Sequence, residues 1–267
     1  MAAKSSTLLD AIMERASPLD ALETTGRLEV GGAGVAWRRA EGRGPTLVWL
    51  GGFHSEMTGT KAQALAAWAT ATGQAFLRFD WFGHGQSDGR FVEGTLTRWR
   101  GDILAVLDHL TEGPVVLVGS SMGGWLACLA ALARPERVRA LVLIAPAADF
   151  TEALLKPGLP AATLAALARD GVWTRPSAYD AAGYEISAAL LEDGARWSIL
   201  GAPVPIHAPV RILQGGADPD VPWTHALALA QAIEGDDVVF TLIRDGDHRL
   251  SRPADLARLI AAVEEVV

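Results

Sequence analysis

Apolar residues in this chain gather in short dense runs, separated by stretches in which they recur every three or four positions. Residues 46–50, 75–79, 115–118, 140–144, 210–213 and 238–243 form six such runs, each of strand length. Between them, Leu65, Trp68, Ala69 and Thr72 share one face of a predicted helix over 60–72. Leu96, Trp99, Ile103, Val106, Leu107 and Leu110 do the same over 95–111. Further helices are predicted from Trp125 to Leu132, over about 223–233, and at the end through Leu256, Leu259, Ile260 and Val263. The runs are continuous rather than alternating, which is the pattern of strands covered on both faces. An α/β fold follows, with a mostly parallel central sheet flanked by helices.

Two regions depart from this rhythm. Near the start, residues 28–30 and 35–37 flank Gly31-Gly32-Ala33-Gly34 and read as a hairpin. No helix with a Lys-Ser or Lys-Thr follows these glycines, so phosphate binding is rejected. Before the hairpin, Leu8, Leu9, Ile12 and Met13 predict a short helix within 1–24. Residues 146–205 interrupt the alternation and read as a helical lid inserted into a single domain spanning 1–267. Leu154, Leu155, Leu159, Leu164 and Leu167 give this insertion apolar surface, and Trp173, Tyr179, Tyr184 and Trp197 supply aromatic rings.

Composition narrows the function. The formal net charge is −8, so there is no basic surplus to neutralise nucleic-acid phosphates. The one cysteine, Cys128, excludes an intrachain disulfide and a multi-cysteine metal site, and it reads as a small buried apolar residue. Nothing in the sequence implies a cofactor or a metal. No apolar stretch has the length of a membrane span, and Asp10 breaks the only apolar start of a leader, so the expected compartment is the cytoplasm.

The chemistry centres on Gly119-Ser120-Ser121-Met122-Gly123, placed between a strand and a helix. That context suits a nucleophile elbow: small residues flank a tight turn that exposes the central Ser121 at the strand's end. After the run ending at Leu213, Asp218 and Asp220 compete as the acid in a Gly/Pro-rich loop. After the run ending at Ile243 comes His248, the candidate base. The order serine, acid, histidine is that of α/β-hydrolases. Of the other histidines, His109 reads as a surface residue, and His84, His207 and His225 as structural. Gly51-Gly52-Phe53 follows the run ending at Leu50. Its glycines allow close approach to a substrate, and the backbone N–H groups of Phe53 and Met122 are the expected oxyanion hole. Gly52, Phe53 and Trp173 are the expected substrate contacts. No basic cluster stands out to receive a phosphate or coenzyme A.

Longer blocks carry a more specific likeness. Met57-Thr58-Gly59-Thr60-Lys61-Ala62, Arg78-Phe79-Asp80, Ser87-Asp88-Gly89, Gly119 through Leu126, Ala133-Arg134-Pro135-Glu136, Gly171-Val172-Trp173, Val221-Pro222-Trp223 and Asp247-His248-Arg249 together span most of the chain after residue 45. In these the chain resembles the α/β-hydrolase domain-containing palmitoyl-protein thioesterases, also known as mycophenolic acid acyl-glucuronide esterases, and reads as a bacterial-type relative of them. The resemblance implies Ser121 as nucleophile, Asp218 rather than Asp220 as acid, and His248 as base. It also implies hydrolysis of acyl-glucuronides or S-acyl thioesters without a cofactor. The expected partner is a small acyl ester or thioester, or an S-acylated protein. Two other classes stay open: a cofactor-free lyase or perhydrolase on the same fold, and a binding protein that has lost catalysis.

Overall fold

The computed structural model describes residues 23–176 and 183–267. The helix expected near Leu8 and the ring of Tyr179 lie outside the described residues. The central sheet is built from β1 (Thr24–Val30), β2 (Ala33–Ala40), β3 (Arg43–Leu50), β4 (Gln74–Phe79), β5 (Val115–Ser120), β6 (Val138–Ile144), β9 (Val210–Gly215) and β10 (Val238–Ile243). Its order is β1-β2-β4-β3-β5-β6-β9-β10. The hairpin strands β1 and β2 pair antiparallel, as does β2 with β4; from β4 to β10 every pairing is parallel.

Helices cover both faces, as the continuous apolar runs require. On one side, α2 (Leu96–Leu110), α3 (Met122–Ala133) and α6 (Trp223–Ala232) pack Trp99, Ile103, Trp125 and Leu229 onto Val48, Leu77, Leu117 and Leu141. On the other, α1 (Thr60–Thr72) and α7 (Pro253–Glu264) bury Leu65, Trp68, Leu256 and Leu259 against Leu47, Val116, Val118 and Val142. Each of these side chains, removed from water, contributes roughly 1.5–3 kcal/mol. The start of α2 is fixed by Thr95, whose side chain accepts from the Arg98 amide; such a cap is worth about 1 kcal/mol.

The last strand corrects one expectation. β10 is not covered on both faces: it pairs only with β9, and Val239 and Leu242 are 43% and 45% exposed. Its apolar run reflects strand propensity at an edge, which pattern alone cannot tell from burial.

Between β6 and β9 lies the insertion. It is not purely helical. A π-helical turn (Thr151–Leu155) and a 3-10 turn (Lys156–Gly158) lead to α4 (Ala161–Asp170), then to a two-stranded antiparallel sheet of β7 (Val172–Arg175) and β8 (Tyr184–Ser187), then to α5 (Ala188–Arg196). Its small core joins Leu155, Leu167, Ile186 and Leu191, with Phe53 and Trp173 packed at the margin. Polar bonds tie the insertion's ends together and to the body. The buried Asp149 carboxylate accepts from the amides of Ile199 and Leu200, 50 and 51 residues further on, at 2.9 and 2.8 Å. Trp125 donates its indole N–H to the Trp197 carbonyl, and Trp197 donates to Thr97 Oγ1 at 2.7 Å.

Candidate active site

The turn between β5 and α3 puts Ser121 in a conformation that few non-glycine residues adopt, with φ 55° and ψ −118°. Such a backbone costs on the order of 1–3 kcal/mol and must be held by its surroundings. Here the Ser121 amide donates to the Ile144 carbonyl at 2.9 Å, and its carbonyl accepts from Ala147 at 3.1 Å. The flanking glycines are dictated by space: a Cβ on Gly119 would overlap the Gly123 carbonyl, and one on Gly123 would overlap the Leu50 carbonyl. Ser121 thus stands at the N-terminal, positive end of α3.

The loops after β9 and β10 are tied to each other. Gly216 donates to the Ile243 carbonyl at 2.7 Å and Ala217 to the Gly246 carbonyl at 2.9 Å. This brings Asp218 Oδ2 to 2.8 Å from His248 Nδ1. A carboxylate only accepts, so Nδ1 carries the proton and Nε2 presents its lone pair. That Nε2 lies 3.1 Å from Ser121 Oγ. Asp218 is anchored further by the Asp220 and Val221 amides, at 2.8 and 2.9 Å, and by Gln214 Nε2 at 3.2 Å. Burial opposes its charged form. The His248 hydrogen bond and charge, with the two amides, outweigh this, so the carboxyl lies below its ordinary range. Asp220 lies close by, with a carboxylate oxygen within 4.8 Å of the Asp218 and His248 ligand atoms, and pairs with Arg175 at 3.7 Å. Of the two competing carboxylates, Asp218 is the one that meets His248.

Gly52 and Phe53 follow β3 and lie against the elbow, with the Gly52 Cα facing Ser120 and Ser121. Among the described residues, neither the Phe53 nor the Met122 amide donates a backbone hydrogen bond, so both are available to an oxygen beside Ser121. The loop's course is fixed by His84. This buried ring donates from Nδ1 to the Phe82 carbonyl and accepts the His54 amide on Nε2, each at 3.1 Å. Burial pulls its pKa down to about 4, against the raising effect of the Phe82 hydrogen bond, so the imidazole stays neutral and Nε2 stays an acceptor. His84 is therefore structural in a specific sense: it pins the residue after Phe53. His225 donates to, or accepts at, no reacting group; its Nε2 lies 2.7 Å from the Ala148 carbonyl.

Two clefts meet at Ser121 and His248, and Phe53 and Tyr184 line both. The first encloses about 740 Å³, part of it open to solvent, and is walled by Met122, Phe150, Leu154, Leu155, Ile186 and Val221, with Asp220 and Arg175 also on its lining. The second, about 610 Å³, is bounded by Trp49, Gly52, His54, Ser55, Lys61 and Arg249. Trp173 lines neither. In β7 it pairs opposite Ile186 and packs at the edge of the insertion's own core, while Tyr184 and Ile186 of the partner strand reach the cleft. Asp218, Asp220 and His248 are the one group of three potential metal-binding side chains among the described residues, with ligand atoms within 4.8 Å of one another. Asp218 and His248 already satisfy each other there.

The sequence alone does not bring Gln214, His84 or Lys61 to the site. A glutamine closing an apolar strand was the visible signal for the first; the other two have partners 30 and 188 positions away. Among the described residues no helix is long and apolar enough to cross a membrane.

Residues 45–181 match the family model described as serine aminopeptidase, S33. The chain is 40% identical over 234 residues to the mouse mitochondrial palmitoyl-protein thioesterase ABHD10, covering 87% of this chain and 78% of that one. The solved structure of mouse α/β-hydrolase domain-containing protein 10 superposes with a TM-score of 0.84 at 39% identity, covering 91% and 97% of the two chains. A putative hydrolase from Agrobacterium vitis S4 superposes with a TM-score of 0.89 at 42% identity, covering 92% and 99%. With an elbow at the end of β5, an acid and a histidine after β9 and β10, and this extent of likeness, the chain belongs to the α/β-hydrolase family of the ABHD10 palmitoyl-protein thioesterases, and it is a hydrolase.

Proposed function

We propose that the protein is a serine hydrolase that cleaves a carboxylic ester or thioester through an acyl-enzyme, as the notable spacing of His248 between Asp218 and Ser121 supports: 2.8 Å on one side and 3.1 Å on the other. Ser121 Oγ attacks the acyl carbon while His248 Nε2 takes the hydroxyl proton. Asp218 keeps the proton on Nδ1 and stabilises the imidazolium. The carbonyl oxygen, now an oxyanion, accepts from the Phe53 and Met122 amides; one such donor lowers the barrier by about 2.7–4 kcal/mol. His248 returns its proton to the leaving alcohol or thiol. Water, activated by the same ring, then releases the acid and restores Ser121. No cofactor enters this cycle.

The acyl chain takes the apolar cleft. Residues 146–205 serve as its cap within one domain, and Gly52 and Phe53 contact the substrate at the elbow. Acyl-glucuronides and S-acylated cysteines are the substrate classes suggested by the resemblance and by the relatives' name. The proposed compartment is the cytoplasm, and recovery of the native protein in a mitochondrial fraction would overturn that part. The mechanism is tested with a fluorophosphonate probe, which is expected to add one label, on Ser121, and none to Ser121→Ala. A label elsewhere, or none, overturns the reading.

A further inference from the structure

The two edges of the central sheet are built differently. β1 closes one edge with Gly26, Arg27 and Glu29 inside the strand, and Arg27 pairs with Asp88. Charges of this kind keep an edge from adding a further strand. β10 closes the other edge with Val238-Val239-Phe240-Thr241-Leu242-Ile243, which holds no charge, proline or glycine. It pairs only with β9, and Val239 and Leu242, one on each face, are exposed. The Val210 amide donates to the Asp237 carbonyl and the Gly216 amide to the Ile243 carbonyl, so the odd-numbered residues turn toward β9. By alternation, Val238, Phe240 and Leu242 turn their N–H and C=O groups outward, and among the described residues no other backbone group meets them. The flanks of the strand differ in charge. Asp236 before it and Arg244 after it are exposed, and among the described residues neither forms an ion pair. Their neighbours Asp237 and Asp245 are engaged by Arg211 and Arg252.

We propose that β10 is the interface with a second copy of this chain, the two strands pairing antiparallel about a two-fold axis through Phe240. An outward-facing residue exchanges backbone bonds only with another such residue, so Val238 pairs with Leu242 of the second copy and Phe240 with its own counterpart, forming about six hydrogen bonds. Val238 and Leu242 cover each other on one face, and Val239 meets Thr241 on the other. This register also brings Asp236 of each copy alongside Arg244 of the other, so the contact is made twice, as a two-fold interface requires. Moving the axis to Thr241 sets Asp237 against Asp245 instead, so the end charges select the register centred on Phe240. The axis crosses the sheet, so the carboxyl ends of the strands point in opposite directions in the two copies. Ser121 and His248 of each copy therefore stay clear of the interface.

The test is the mass of the full-length protein in solution, by sedimentation at micromolar concentration. Twice the chain mass is expected. Arg244→Asp and Asp236→Arg, each of which sets like charges together at two contacts, are expected to weaken the dimer by about tenfold. Combining them in one chain is expected to restore it, because the exchanged charges pair again. Leu242→Lys is expected to give a monomer. Turnover of a p-nitrophenyl ester shows that each variant is folded. Oxidising a mixture of Val239→Cys and Thr241→Cys chains is expected to link them, since the two positions face each other at about 4.5 Å between Cα atoms. Wild-type protein of single-chain mass overturns the proposal, with β10 then open or covered by another part of its own chain. A dimer unchanged in both Leu242→Lys and Arg244→Asp overturns it in favour of another surface. Linking of Thr241→Cys chains to one another overturns the register and the charge pairing that selects it.

Discussion

Ser121, Asp218 and His248 are delivered by β5, β9 and β10, three strands in the parallel part of one sheet, whereas the wall they face comes from an insertion with a core of its own. The strand-borne side chains are positioned by ladder bonds and by the mutual bonds of two loops, Gly216 to Ile243 and Ala217 to Gly246. The wall is positioned by packing among Leu155, Leu167, Ile186 and Leu191. Proton transfer tolerates little error in distance, since a 1 Å misplacement costs about 10²-fold. An apolar wall needs only volume and surface. The difference separates a part of the molecule that must be rigid from a part that can change.

Substitutions can break or sharpen this division. The largest effect is expected at Ser121. Ser121→Ala should lower kcat by about 10⁴–10⁶-fold for every acyl chain length, measured with p-nitrophenyl esters. Ser121→Gly should be equally inactive yet unfold later in denaturant, by about 1 kcal/mol, because glycine accepts this backbone without strain. An active Ser121→Ala would remove the strand-borne centre altogether. Next comes the acid. Asp218→Asn should cost about 10⁴-fold in kcat by favouring the wrong tautomer of His248. Asp220→Asn should cost less than about tenfold, because the hydrogen bond to His248 comes from Asp218 and the Arg175–Asp220 pair is long and half-exposed. Equal losses at the two positions would show that the loop, not the carboxylate, matters. The smallest effect belongs to the wall. Leu154→Asp should shift the ratio of octanoate to acetate hydrolysis by about tenfold toward acetate, the scale of a few methylenes in an apolar pocket. If it lowered both esters equally, the wall would prove to be part of the machinery.

What could be read from the chain alone follows the same division. Strands and helices of the body were visible because buried elements impose period and length, and the expected 238–243 and 60–72 agree with Val238–Ile243 and Thr60–Thr72. The environment of β10 differs from the expectation, since an edge strand and a buried one share the same residues. The positions of Ser121 and His248 were legible because each follows a strand directly. The insertion was legible only as an interruption. β7 and β8 have four residues each, too few for a periodic signal. Trp173, an expected substrate contact, lines neither cleft and packs at the margin of the insertion's core. The bond from Lys61 to the Arg249 carbonyl at the second cleft could not be read at all: the two residues lie 188 positions apart and only the fold joins them.

The Asp149 carboxylate has a consequence for how such a protein can change over time. By gripping the amides of Ile199 and Leu200, it brings the entry and exit of a fifty-residue excursion to one point. The stretch between behaves as a cassette with a defined seam. A chimera that swaps 150–198 between relatives while keeping Asp149 leaves the parallel sheet and its ladder bonds undisturbed. One contiguous piece of gene can then rewrite the acyl range of the enzyme without reopening its chemistry.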